Sequence, residues 1–112
     1  MTRARAAVAG AGAAIVWAAS EPLVRRLLQT SYSDVRLVGF PRHVANGALF
    51  GLAYGELRRR RDVPAVAAAM VEHVALWPVL GLFDRAALRS PRAFASSGVC
   101  HLIFGAALGR FS

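Results

Sequence analysis

The chain of 112 residues has no lysine, one cysteine and six acidic residues. Each shortage excludes something. With Cys100 as the only thiol, no intramolecular disulfide, C-x-x-C pair or cysteine-rich zinc site can form. Cys100 lies in an apolar stretch and reads as a small packing residue. The acids (Glu21, Asp34, Glu56, Asp62, Glu72 and Asp84) are spread singly along the chain, so the sequence shows no paired carboxylates. It also lacks H-E-x-x-H, a nucleophile elbow and a phosphate-binding loop. Ser96 and Ser97 precede His101, but residues on one helix make no triad without a third group and an oxyanion site. An enzyme is therefore not the expectation.

What the chain has is apolar surface. Hydrophobic residues make up 56% and charged residues 18%, against roughly 45–50% and 25% in an ordinary soluble domain. The excess falls into four blocks separated by short arginine-bearing stretches. This predicts an all-α fold: an integral membrane four-helix bundle forming one domain, residues 1–112. The spanning helices are expected at about residues 4–19, 41–57, 65–83 and 92–109. The formal charge is +8, which on a soluble protein would point to nucleic acid. Here all fourteen basic residues are arginines flanking apolar blocks, so no nucleic-acid partner is expected. Arg25, Arg26 and Arg58, Arg59, Arg60 and Arg61 are read as contacts to lipid headgroups.

The first block, Ala6 to Ala19, follows Arg3 and Arg5. It resembles a signal peptide with Ala18-Ala19-Ser20 as a cleavage site, but is read as the first spanning helix. From Glu21 to Thr30, Leu23, Val24, Leu27 and Leu28 alternate in pairs with Arg25, Arg26, Gln29 and Thr30. That spacing predicts a short amphipathic helix in the headgroup region, capped by Ser20 with Pro22 in its first turn. The alternative is a plain extension of the first helix. Ser31 to Phe40 is expected to be a loop with interfacial aromatics. Pro41 opens the second helix. Asp62 is expected to cap the third, which Pro78 kinks. Asp84 to Arg92 is expected to be a polar loop, and Ser90-Pro91 to start the fourth helix. The arginines divide seven to each side of such a bundle. The dense cluster Arg58 to Arg61 favours both termini and that loop in the cytoplasm.

One pattern recurs. His43-Val44-Ala45-Asn46-Gly47-Ala48-Leu49-Phe50-Gly51 and His101-Leu102-Ile103-Phe104-Gly105-Ala106-Ala107-Leu108-Gly109 both read H-x-x-x-G-A-x-x-G. His73 to Gly81 keeps the histidine and the last glycine but has Trp77-Pro78 in the middle. Gly47, Gly51 and Gly55 form one stripe, and Gly105 and Gly109 another. Such stripes let a second helix approach closely, within the chain or from another chain. The two copies suggest a hairpin repeat, 1–57 against 65–110.

Glu72 is the most informative ionisable residue, expected near the bilayer centre, where a charge is costly. His73 lies about 100° around the helix from it, so the two are not expected to face one line. A Glu72–His101 or His73–His101 pair across the bundle can relay a proton, since histidine titrates near neutrality. Facing histidines can also ligate haem iron, and a His/Glu set a metal, although no specific motif supports either. His43, beside Arg42, is expected at headgroup level. Asn46 can hydrogen-bond across helices, and Trp17, Trp77, Tyr32 and Tyr54 read as packing or interfacial anchors.

Taken together, Trp17 with Glu21-Pro22-Leu23, Tyr32-Ser33-Asp34-Val35, the His43 motif through Gly55, and Glu72-His73 with Trp77-Pro78 resemble a group of small actinobacterial membrane proteins of unknown activity. The stretch before His43 is shorter than in that group. The resemblance implies a multi-pass protein of the bacterial plasma membrane and brings no binding residues. Three functions are open. The leading one is a non-catalytic structural or accessory component, packing through its glycine faces in a homo-oligomer or with a membrane-protein partner, without a cofactor. The second is a proton or ion channel or transporter using Glu72, His73 and His101. The third is a haem- or metal-binding membrane protein.

Overall fold

In a computed structural model that describes residues 2–112, every element is helical: α1 (Arg3–Leu28), α2 (Asp34–Val38), α3 (Phe40–Arg60), α4 (Ala65–Leu80), α5 (Arg85–Leu88) and α6 (Pro91–Phe111). The four longer helices form a row. α1 packs on both α3 and α6, and α6 packs on α4, while α3 and α4 barely touch. The fourth side of the arrangement is thus an open seam. The molecule measures 39 × 23 × 21 Å.

Two helices, α1 and α6, are long and apolar enough to cross a membrane. The four spans expected from the sequence are therefore not all of that kind. α4 is apolar but has 16 residues, about 24 Å at 1.5 Å per residue. It carries Pro78 inside it and ends at Leu80, followed by a turn. α3 is diluted by Arg42, His43, Asn46 and its arginine-rich last turn.

The separate amphipathic helix expected over 21–30 does not exist; α1 runs through it without a break. Ser20 does not cap. Its hydroxyl donates to the Val16 carbonyl, 2.8 Å away, a bond that fits a continuing helix. Glu21 then turns inward and is served by its own helix. Trp17 Nε1 donates to Glu21 Oε2 at 2.9 Å, and Arg25 Nε lies 3.8 Å from Oε1. The short helix lies later, at Asp34–Val38, with the Ser33 hydroxyl accepting from the Arg36 amide at 3.1 Å. α4 starts after Pro64 with no side-chain cap, so Asp62 does not cap it. The expected polar loop after Asp84 contains the one-turn α5, capped by Asp84. Ser90 and Pro91 start α6 as their sequence predicts, the Ser90 hydroxyl accepting from the Ala93 amide at 3.1 Å.

Glycine decides how closely the row packs. A Cβ on Gly10 would strike the Gly47 carbonyl, and one on Gly51 would strike the Ala6 carbonyl and come within 2.9 Å of Gly10 Cα. Gly55 faces Ala6. On the other side, a Cβ on Gly105 would lie 2.7 Å from Val66 Cα, whereas Gly109 has ordinary room beside Ala65. Both motif copies therefore set a glycine against the long helix that precedes them in the chain.

Candidate functional site

The α3–α4 seam opens into a cavity of about 450 Å³. Its inner wall carries Trp17, His43, Glu72, His73 and His101, and its outer wall is largely apolar, with Leu49, Phe50, Leu76 and Leu80. α4 presents Ala65, Ala69, His73 and Trp77 inward on one stripe. Glu72 sits beside that stripe, with 28% of its side chain exposed. The expectation that Glu72 and His73 cannot share a line needs correction. They differ by about 100° on the helix, but the cavity is wide enough to meet both.

The central contact is Glu72 Oε1 to His101 Nε2, 3.3 Å. The other nitrogen of His101, Nδ1, lies 2.8 Å from the Ser97 carbonyl. A carbonyl only accepts, so Nδ1 carries its hydrogen. Nε2 is then the nitrogen turned to the Glu72 carboxyl. A proton between the two meets the same pair of partners whichever group holds it.

Behind His101 lies a run of buried hydroxyls and carboxylates. Ser97 Oγ is 3.5 Å from His101 Nδ1 and donates to Asp34 Oδ2 at 2.6 Å. The Tyr32 hydroxyl donates to the other Asp34 oxygen. Ser33 donates to Glu21, which Trp17 also serves. Burial, and next the Asp34 charge, hold the Tyr32 phenol well above its usual range, so it remains a neutral hydroxyl. Tyr32 lines a second, surface pocket formed with Ser33, Arg36, Asp84 and Ser90. In the other direction Glu72 also lines a third pocket, reaching along the seam to Tyr54, Leu57 and Val63. Glu72 thus stands where the two seam pockets meet.

His73 is 2% exposed. Its ring lies 4.8 Å from that of His101 and 4.4 Å from Phe94. Neither of its nitrogens has a hydrogen-bond partner in acceptable geometry among the described residues. The Phe94 backbone offers one of them electrostatic support, which leaves the other unserved. His43, expected at headgroup level, faces the protein interior. It is buried, its Nε2 donating to the Ala14 carbonyl at 2.9 Å, and its ring stands 4.9 Å from Trp17. The absence of a side chain at Gly47, one turn on, lets α3 come close enough for that bond. Trp17 also lies 4.5 Å from His101, so it stands between the two histidines of the repeated motif.

No family model, curated protein or solved structure matches this chain.

Several sequence expectations change here. Arg25 is not a free headgroup contact but is half-buried beside Glu21, whereas Arg26 and Arg58 to Arg61 are exposed. In the expected loop 31–40, Tyr32, Ser33 and Asp34 are buried. Ser97 and His101 do acquire a third group, Asp34. The order is wrong for a hydrolase, since Ser97 gives its hydrogen to Asp34 rather than to His101. No group of three or more His, Cys, Asp or Glu residues that could hold a metal ion occurs among the described residues. Glu21 and Asp34 are the site residues that sequence reasoning passed over. Their signal was Trp17 and Arg25 at four residues either side of Glu21, and the Tyr-Ser-Asp run itself.

Proposed function

We propose that the chain is a multi-pass membrane protein of the bacterial cell that carries protons through its interior, with Glu72 and His101 as the exchanging pair. The observation that carries this reading is the 3.3 Å contact between them, with Nδ1 held by the Ser97 carbonyl. The membrane half of the reading is supported by α4. Glu72 apart, its residues outside the buried stripe are all apolar, and Val71 and Val74 are 69% and 60% exposed. A helix with histidine inside and valine outside fits lipid, not water. All fourteen arginines lie in the end turns of the longer helices or in the segments between them, and the 39 Å long axis fits a bilayer of about 40–45 Å with its headgroups.

A proton entering along the seam reaches Glu72 and passes to His101 Nε2. Onward transfer takes the Nδ1 hydrogen to Ser97 Oγ as the Ser97 hydrogen passes to Asp34, and a turn of the His101 ring then returns a hydrogen to the Nδ1 side. The Tyr32 hydroxyl on Asp34 brings the run to the surface pocket. A purely structural component packing through glycine faces accounts for the close helix approaches but not for this run of buried polar groups. Proton flux into liposomes holding the purified protein, followed with an entrapped pH dye under an imposed gradient, tests the proposal. Flux should fall to the protein-free level in Glu72→Gln, with helical content unchanged. Equal flux in the native protein and the variant would overturn it.

A further inference from the structure

We infer that the α3–α4 cavity binds a neutral, lipid-dissolved ring compound of the quinone–quinol class, held through its ring oxygens. The cavity, about 450 Å³, falls within the roughly 300–1,000 Å³ typical of small-molecule sites. It is not sealed by helix packing, because α3 and α4 barely touch. Its mouth is flanked by Leu49 and Leu76, both exposed. On the membrane reading that mouth faces lipid, so a ligand arrives from the bilayer and must be mostly apolar.

The inner wall sets the chemistry of the head. No arginine lines the cavity, and Glu72 and Asp34 do. A phosphate or carboxylate head would meet acids without a compensating cation. The wall instead offers the Glu72 carboxyl beside His101 Nε2, and next to them the His73 ring, packed with Nε2 toward Gly98 of α6 and without a hydrogen-bond partner among the described residues. A buried imidazole left without a partner is costly, and a ligand hydroxyl or carbonyl that the His73 ring turns to meet offsets that cost. A quinone carbonyl accepts and a quinol hydroxyl donates, so either form finds a partner here. The rings of Trp17, Phe50 and Phe104, beside the histidines, suit a flat aromatic body. The proposal is for binding and includes no redox step.

This inference rests on the membrane reading but not on proton conduction, and its test separates the two. The probe is decylubiquinone, titrated against the protein in detergent micelles and read by quenching of tryptophan fluorescence, since Trp17 lines the cavity. Native protein should show saturable quenching. His73→Phe keeps a ring but removes both nitrogens. Ala53→Phe fills the cavity from an exposed position and spares the core if His73→Phe fails to fold. Each should weaken binding about tenfold or more, with native circular dichroism for Ala53→Phe. Quenching no greater than that of free tryptophan analogue in the same micelles overturns the site. So does saturable quenching that Ala53→Phe leaves unchanged. Glu72-dependent flux without saturable quenching would remove the site and leave the relay standing; the converse would remove the relay alone.

Discussion

At the residue scale the decisive fact is that one histidine nitrogen is committed and the other is not. The Ser97 carbonyl fixes the hydrogen on His101 Nδ1, and so fixes what Nε2 can exchange with Glu72. This has a spectroscopic consequence. In the reconstituted protein, ¹⁵N resonances of the resting His101 ring should show the hydrogen on Nδ1, with Nε2 as the nitrogen that responds to Glu72. In Glu72→Gln the Nε2 resonance should shift while Nδ1 stays as it was. A resting ring that holds its hydrogen on Nε2 alone would show that the carbonyl does not hold Nδ1. The Glu72–His101 contact was among the pairings the sequence allowed, because both residues interrupt apolar helices at comparable depth. The partners behind it were not legible. Nothing in the sequence says that the Asp34 segment folds back to reach Ser97, 63 positions on. A Tyr-Ser-Asp run between two apolar blocks looks the same whether it lies in water or under a helix end.

At the element scale the glycine stripes decide the packing, and not every glycine counts equally. Gly10, Gly51 and Gly105 face backbone atoms that cannot move aside; Gly109 faces a methyl group at ordinary distance. Gly51→Ala and Gly105→Ala should therefore lower the thermal midpoint in detergent, by an amount in the overpacking range of about 1–3 kcal/mol or more. Gly109→Ala should be neutral or slightly stabilising through its helix propensity. Equal effects at all three would contradict the packing described here. Sequence period located the stripes but could not say which helices they meet, and the answer is the preceding helix of the same chain. It also favoured a break at Ser20–Pro22, where α1 has none. Ser20-Pro22 has the composition of a helix start, yet the Ser20 bond to Val16 and the Trp17–Glu21–Arg25 ladder carry the helix through. A start signal and a tolerated proline are indistinguishable until the side-chain partners are known.

At the scale of the whole molecule the account depends on where water is. The row of helices has its arginines at both ends and apolar side chains exposed between them, with the ionisable cluster facing the seam. That arrangement separates two watery ends only if the helices cross a bilayer. The measurement that tests this most directly is the sidedness of three engineered thiols. Each is placed in a Cys100→Ala background and read with a membrane-impermeant maleimide on intact and permeabilised cells. Thr2→Cys and Asp62→Cys lie at one end, and Ala86→Cys at the other. The account predicts that the first two react alike and the third from the opposite side of the membrane. Labelling of all three from the same side would contradict it.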